Sequence, residues 1–255
     1  MNSNNRPFLQ PFVALLLLTL ASQLGFLAYN VLSAVPAANP SDQSLVSMLM
    51  FSTALLSAIT IPLAAFGLRL GGRIGLGAPL LTALLKRRPG AGERLRRDAM
   101  LAIPLGLAVG VVLLLMRLVL EPYLPPELPA LGFRGPIGGL LASAGAAVAE
   151  ETWLRLGIMT IFAVPVARLL GHSDIRPGVA WPAIVFAALA FGLIHIPSLV
   201  QAGAVTLGAI AGTMAGNSMV GVLCGWLYWR RSLVAAILAH FAVDLILHVL
   251  TTLWV

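Results

Sequence analysis

The chain has 255 residues, of which 59% are hydrophobic and only 10% charged, and its mean hydropathy is +0.96. An ordinary soluble domain, with about 25% charged residues, is excluded, and so is a disordered chain, which would be poor in apolar residues. The single cysteine, Cys224, excludes an intramolecular disulfide. The basic residues that give the net charge of +7 lie between apolar segments, which indicates membrane topology and disfavours nucleic-acid binding.

Seven segments are apolar and long enough to cross a bilayer, since a spanning helix needs about 20 such residues. In chain order they are residues 11–34, 44–68, 99–120, 137–165, 180–196, 204–229 and 232–254. The first segment is longer than the apolar part of a signal peptide, so we treat it as a retained helix. The predicted fold is all-α, a polytopic membrane bundle of about seven transmembrane helices.

The basic residues predict how the bundle is oriented. Residues 69–98 carry half of the 16 basic residues, and the positive-inside rule places this loop in the cytoplasm. Alternation of the spans then puts the amino terminus inside and the carboxyl terminus outside, and leaves only Arg117, Arg134 and Arg155 away from the cytoplasmic side. Residues 78–88 have an apolar front and a basic end, which is typical of an extra interfacial helix but also of a solvated loop.

Proline and glycine predict several local features of the spans. Residues 121–136 are rich in proline and are expected to form an extended outer loop. The fifth helix is expected to begin after Pro182, because proline favours the first turn. Two GxxxG pairs in the sixth span, Gly212–Gly216 and Gly221–Gly225, are interpreted as positions where helices pack closely.

Six ionisable side chains lie inside three of the predicted spans, where each costs a few kcal/mol unless it has a partner or a function. They are Glu150, Glu151 and Arg155 in the fourth span, His195 in the fifth, and His240 and Asp244 in the seventh. Buried ion pairs and histidines can also be purely structural. Two carboxylates, two histidines and an aspartate together favour a site that activates water.

Helical spacing pairs these side chains. Glu151 and Arg155 are four residues apart with the acid first, which predicts an ion pair. Glu150 points about 100° away from Glu151 around the helix and is left as the free carboxylate. His240 and Asp244 are again four residues apart, so we expect Asp244 to hold the imidazole in one tautomer.

Two chemistries fit this set of residues. In the first, Glu150 is the general base, His195 shares the proton or the water, and His240 stabilises an oxyanion. In the second, Glu150, His195 and His240 bind zinc and leave one position for water. The residues alone leave both chemistries open, a site without a cofactor and a zinc site.

Three short motifs follow one another on the predicted helices: EExxxR at residues 150–155, FxxxH at residues 191–195 and HxxxD at residues 240–244. Together they resemble the CAAX protease and bacteriocin-processing (CPBP) family of intramembrane endopeptidases, to which the CAAX prenyl protease of the second type belongs. The resemblance covers about residues 137–250. It implies an all-helical bundle whose catalytic cavity lies inside the membrane and opens toward the cytoplasm.

The resemblance also implies a role for each motif residue. Glu150 and His195 would activate the water, and His240 and Asp244 would line the oxyanion hole, with Glu151, Arg155 and Phe191 in support. The motif accepts Asn or Asp at its last position, and an ionised Asp244 accepts hydrogen bonds but donates none. Asp244 must therefore be protonated, orient His240, or bind a metal. Because the resemblance accepts Asn here and an amide is a poor replacement for a carboxylate ligand, we favour a site without a cofactor and keep zinc as the alternative. Asn217 and Ser218 are assigned to helix packing and His248 to the membrane interface.

We therefore expect an intramembrane endopeptidase, dependent on glutamate or on metal, which cleaves membrane-associated peptides or proteins in a bacterial inner or plasma membrane. Residues 1–98 would hold the amino-terminal helices and the basic loop, and residues 99–255 the transmembrane catalytic core. One alternative is a proton-coupled transporter or channel, which the lack of an internal repeat disfavours. Another is a non-catalytic bacteriocin-immunity or scaffold protein of the same fold.

Overall fold

The computed structural model describes residues 6–33 and 42–254, and in these ranges the secondary structure is helical throughout, with no strand. The α-helices are α1 (Arg6–Ser33), α2 (Asp42–Gly71), α3 (Pro79–Leu85), α4 (Ala91–Leu120), α5 (Gly135–Glu150), α6 (Thr160–Leu169), α7 (Pro177–Ile194), α8 (Ile196–Ala202), α9 (Leu207–Arg230) and α10 (Leu233–Asp244). Two π-helical segments, Glu151–Met159 and Leu245–Val249, continue α5 and α10 without a break. The predicted all-α class is confirmed.

Seven helical stretches of the described chain are long and apolar enough to cross a membrane, as predicted. They are Phe8–Val31, Leu45–Ile74, Ala91–Tyr123, Gly135–Leu169, Pro177–Ala202, Leu207–Arg230 and Leu233–Leu253. Large apolar side chains on the outside of the bundle, such as Phe51, Val119 and Leu207, are exposed. Such a surface suits lipid and would be costly in water, so the chain is an integral membrane protein.

The fifth span begins earlier than predicted. Helix α7 starts at Pro177, directly after the extended residue Arg176, and Pro182 lies inside the helix. The preference of proline for the first turn therefore applies to Pro177, and the prediction that the helix begins after Pro182 is wrong. At 1.5 Å per residue α7 is about 27 Å long, and His195 follows its last residue.

The basic loop contains the extra helix that the sequence left open. Helix α3 contacts α1, α4 and α10, and Leu80 is completely buried. Just before α3, the backbone N–H of Gly77 donates a hydrogen bond to the hydroxyl oxygen of Tyr228, at 2.9 Å. This bond ties the loop to α9. The residues of α3 are therefore helical and packed against the bundle, unlike a solvated loop.

The two GxxxG pairs of α9 have different surroundings. A Cβ atom on Gly221 would lie 2.7 Å from Cα of Ala188, and one on Gly225 would lie 3.0 Å from the Ile184 side chain. This pair therefore allows α9 to pack closely on α7, as predicted. A Cβ on Gly212 would meet no atom within 4 Å. The prediction of close packing is wrong for that position, which borders an empty space.

The beginnings of α4 and α10 are joined by a buried polar contact. Ser232 caps α10, since its Oγ accepts a hydrogen bond from the backbone N–H of Ala235 at 3.1 Å. The same hydroxyl donates a 2.6 Å hydrogen bond to Asp98, whose side chain is buried. One serine therefore satisfies both a helix end and a buried carboxylate.

We expect Ser232→Ala to lower the free energy of unfolding by about 2–3 kcal/mol, because it removes a cap and leaves a buried carboxylate without its donor. Thr206 is a matched control, since its hydroxyl caps α9 through Ala209 and contacts no carboxylate among the described residues. Thr206→Ala should cost about 1 kcal/mol. Unfolding in detergent measures both values, and equal losses would show that Asp98 adds nothing to the cap.

Candidate active site

The six predicted ionisable side chains meet at one place in the bundle. Glu150, the last residue of α5, lies between two imidazoles: its Oε1 is 4.0 Å from Nε2 of His195 and its Oε2 is 3.7 Å from Nε2 of His240. Both distances exceed a direct hydrogen bond and suit contact through a water molecule. The Glu150 side chain is 16% exposed. Part of this carboxylate is therefore open to a molecule in the adjacent space.

Glu151 is completely buried and contacts two partners. Its Oε2 lies 3.1 Å from Nε of Arg155, so the predicted ion pair is present. Its Oε1 accepts a 2.8 Å hydrogen bond from Nδ1 of His240. The sequence did not predict this second contact, because Glu151 and His240 are 89 residues apart in the chain and lie on different helices.

Glu151 therefore does what the sequence assigned to Asp244. The carboxylate of Asp244 lies 3.7 Å from Nε2 of His240, the nitrogen that also faces Glu150. It makes no hydrogen bond to Nδ1. The expectation that Asp244 holds the imidazole is wrong, because the side chain one turn along α10 reaches only the far nitrogen. Asp244 instead faces the same space as Glu150.

The end of α7 sets the tautomer of His195. Its Nδ1 lies 2.9 Å from the carbonyl oxygen of Phe191, which can only accept, so Nδ1 carries the hydrogen. The backbone N–H of His195 binds the carbonyl of Gly192 instead, which leaves the Phe191 carbonyl for the ring. A neutral His195 then presents the lone pair of Nε2 toward Glu150.

The ring of Phe191 packs against both imidazoles and against the guanidinium of Arg155. It meets the imidazoles of His195 and His240 edge to face, with centroids 5.0 and 5.5 Å away. The guanidinium of Arg155 lies over the same ring, 5.0 Å from its centroid. Among the described residues, the two terminal nitrogens of Arg155 have no hydrogen-bond partner. Arg155 therefore depends on Glu151 for its ion pair.

Within the described parts of the chain, two groups of side chains are candidates for a metal site. Ligand atoms of Glu151, Cys224 and His240 lie within 4.8 Å of one another, and all three residues are buried. However, both oxygens of Glu151 and Nδ1 of His240 are already engaged. A dication would also stand beside the fixed charge of Arg155. This group does not fit zinc.

The other group is the zinc set predicted from the sequence, Glu150, His195 and His240. Its donor types suit zinc, which holds tetrahedral ligand atoms roughly 3.4 Å apart. The carboxylate oxygens of Glu150 lie 4.0 and 3.7 Å from the two imidazole nitrogens, which is wider. The spacing suits water between these groups better than it suits a shared ion.

A cavity of about 520 Å³ extends from this cluster to one end of the bundle. Glu150, His195, His240 and Asp244 line its inner end, while Pro129, Ala130 and Phe133 lie exposed at its rim. The rim belongs to the loop between α4 and α5, which consists of a 3-10 turn at Glu121–Tyr123 followed by further turns. The prediction that this loop is extended is therefore wrong in detail.

One face of α9 also lines the cavity, and most of it was not predicted. This face consists of Ala209, Gly212, Thr213, Gly216, Asn217 and Val220. The spacing of three and four residues, with small or polar side chains, is the signal that could have identified a cavity wall. Asn217 and His248 line the cavity rather than only packing or facing the interface. Ser218 does pack, since its hydroxyl donates to the Ala188 carbonyl at 3.3 Å.

The position of the rim makes two expectations incompatible: the cytoplasmic placement of the basic loop and a cavity that opens toward the cytoplasm. Among the described residues that line the cavity, none belongs to the basic loop 69–98. The positive-inside rule places that loop in the cytoplasm, and the resemblance implies a cavity open toward the cytoplasm. Both cannot hold, because the cavity opens at the other end.

Comparison with known proteins identifies the part of the chain that carries the cluster. Residues 133–246 match the family model described as type II CAAX prenyl endopeptidase Rce1-like. This range contains all of the EExxxR, FxxxH and HxxxD residues, as the resemblance led us to expect. No curated protein and no solved structure matches the chain. Residues 133–246 are therefore similar to the type II CAAX prenyl endopeptidase Rce1-like family.

Proposed function

We propose that this protein is an intramembrane endopeptidase in which Glu150 and His195 activate the attacking water. The observation that carries the proposal is the position of Glu150, whose two oxygens face two imidazole nitrogens at the inner end of a cavity. The family of residues 133–246 supports proteolysis as the reaction.

Water activation follows from the distance between Glu150 and His195. A separation of 4.0 Å between Oε1 and Nε2 accommodates one water that donates a hydrogen bond to each. His195 accepts because its Nδ1 carries the hydrogen, and Glu150 takes the second proton as the water oxygen attacks the peptide carbonyl carbon. Glu150 is thus the general base, and His195 orients the water.

His240 and Asp244, on the opposite side of the same space, stabilise the negative charge of the tetrahedral intermediate. Glu151 accepts the Nδ1 hydrogen of His240, so a second ring hydrogen on Nε2 makes the imidazolium, with the Glu150 carboxylate 3.7 Å from that nitrogen. Its Nε2–H then donates to the oxygen of the tetrahedral intermediate. A protonated Asp244 supplies a second donor beside it. When the carbon–nitrogen bond breaks, Glu150 returns the proton to the leaving amine.

The test of this proposal is turnover of a peptide library by the purified protein in detergent, with and without a chelator. We expect cleavage products in mass spectrometry, at the same rate in both conditions. A folded protein that cleaves no peptide would favour the non-catalytic reading. Loss of cleavage with chelator would favour the zinc set Glu150, His195 and His240. Proton flux across proteoliposomes without cleavage would favour the transporter.

Asp244→Asn is expected to keep or raise turnover, most visibly at alkaline pH, because the amide is a permanent donor whereas a carboxylate must be protonated to donate. Asp244→Ala, which has no donor, should lose a factor of about 100 to 1,000. The pH dependence of kcat for the two variants measures this difference. An inactive but folded Asn variant, together with a chelator-sensitive wild type, would instead make Asp244 a metal ligand.

A further inference from the structure

The two ends of the bundle differ in position and charge. At one end, the Arg94 guanidinium approaches the backbone carbonyl of Arg231 at 3.3 Å, and Asp98 binds Ser232. This end carries the basic loop. The cavity rim lies at the other end, where α4 finishes and α5 begins.

The distribution of basic residues assigns each end to a side of the membrane. Of the 16 basic residues, only Arg117 and Arg134 belong to the rim end, and Arg155 is buried inside the bundle. The positive-inside rule depends on such an imbalance near the ends of spans. By this rule the rim faces away from the cytoplasm.

The two arginines near the rim differ in their partners. Nε of Arg117 lies 2.6 Å from the Glu121 carboxylate, so its charge is balanced. Arg134 makes no hydrogen bond or ion pair with any described residue. Its guanidinium lies 4.2 Å from the centroid of Phe133 and 5.9 Å from that of Phe26. Arg134 is therefore a cation that aromatic rings hold in the cavity wall, without a direct hydrogen bond or ion pair to an anion among the described residues.

The surroundings of Arg134 make this lack of a partner costly. Burial lowers the pKa of its guanidinium below the usual value, and the charge of Asp244 acts in the opposite direction. Most of the cavity lining is apolar, including Met116, Leu124 and Leu131. A guanidinium in such a place pairs best with a carboxylate, which it can bind through two parallel hydrogen bonds.

Building on the proposed protease activity, we propose that the cavity admits its peptide from the membrane face opposite the basic loop, and that Arg134 binds a carboxylate of that peptide. Arg134 and Glu150 line the same cavity, the first beside the rim and the second at the inner end. The carboxylate would thus fix how far the peptide enters and which bond reaches Glu150.

The direction of entry is tested by labelling two matched cysteine variants. Pro126 lies in the rim loop and Pro89 in the basic loop, both exposed and both in turns. In intact cells, a membrane-impermeant maleimide should label Pro126→Cys and should label Pro89→Cys only after permeabilisation. The unchanged chain measures the background, because Cys224 is buried. The reverse pattern would overturn the proposed direction, whether or not the protein cleaves peptides.

The role of Arg134 is tested by binding, in the Glu150→Gln background so that no turnover interferes. The probes are three fluorescent apolar peptides: one with a free carboxyl terminus, one with an amide, and one with an amide and an internal Glu. We expect at least one carboxylate peptide to bind about tenfold or more tightly than the amide. Arg134→Gln should abolish that preference, and Arg134→Lys should keep part of it.

The three peptides separate the possible outcomes. A preference for the first peptide identifies a carboxyl terminus as the ligand of Arg134, and a preference for the third identifies an acidic side chain. Equal binding of all three, or a preference that survives Arg134→Gln, would overturn the proposed role. Because binding needs no catalysis, this result is independent of the test for proteolysis.

Discussion

Replacing Glu150 with glutamine is expected to lower turnover by a factor of about 100 to 10,000 and to leave the fold intact. The amide has nearly the same shape, but it cannot take a proton from water at neutral pH. The loss should appear in kcat for a cleaved peptide. It should not appear in thermal unfolding, because Glu150 makes no direct hydrogen bond to a described residue and is partly exposed to the cavity.

Glu93 provides the matched control for this change. It is exposed in the first turn of α4, at the end of the bundle away from the cavity. Glu93→Gln removes the same charge with the same change in shape, and cleavage should stay at the wild-type rate. Near-wild-type cleavage by pure Glu150→Gln protein would remove Glu150 from the mechanism.

Glu151→Ala is expected to lower the free energy of unfolding by about 3–5 kcal/mol, as loss of one partner of a buried ion pair does. The substitution leaves Arg155 buried without its carboxylate and frees Nδ1 of His240. Activity should fall together with stability. Thermal unfolding in detergent, measured beside peptide turnover, gives both effects.

A paired substitution separates the two roles of Glu151. In Glu151→Leu with Arg155→Met, no unpaired charge remains, so most of the stability should return. Activity should stay low, because His240 still lacks the carboxylate that orients its ring. If Glu151→Ala alone is as stable as the wild type, the ion pair with Arg155 contributes nothing. If the double variant recovers turnover, Glu151 does not position His240.

The sequence predicts the features that depend on local pattern. Spans follow from apolar length, and the pairing of Glu151 with Arg155 follows from helical spacing. The hydrogen bond from His240 to Glu151 does not, because it depends on how α10 packs against the π-helical segment after α5. The same limit applies to Asn217, whose helix face is recognisable only when the empty space beside it is known. Contacts between helices that are distant in sequence can be identified only when the packing of the helices is known.

The opening of the cavity shows a further limit of sequence patterns. Charge counts predict which loops share a side of the membrane, and the motif resemblance predicts the residues of the site. Neither of them predicts how deep the cavity between the helices is or at which end of the bundle it opens. That direction follows from the small face of α9 and from the turns of the loop between α4 and α5, which are properties of the folded chain.

The π-helical segment Glu151–Met159 limits which insertions and deletions this part of the chain can accept. Each π turn contains one more residue than an α turn, and the hydroxyl of Thr160 binds the carbonyl of Arg155, five residues earlier. A deletion of one codon here would return the segment toward an α-helix, in which each residue turns by about 100°, and would change the rotation of α5 relative to α6. The distances from Glu150 to the two histidines would then change although every motif residue was still encoded. Insertions and deletions should therefore be tolerated in the exposed loops and rejected between residues 150 and 160.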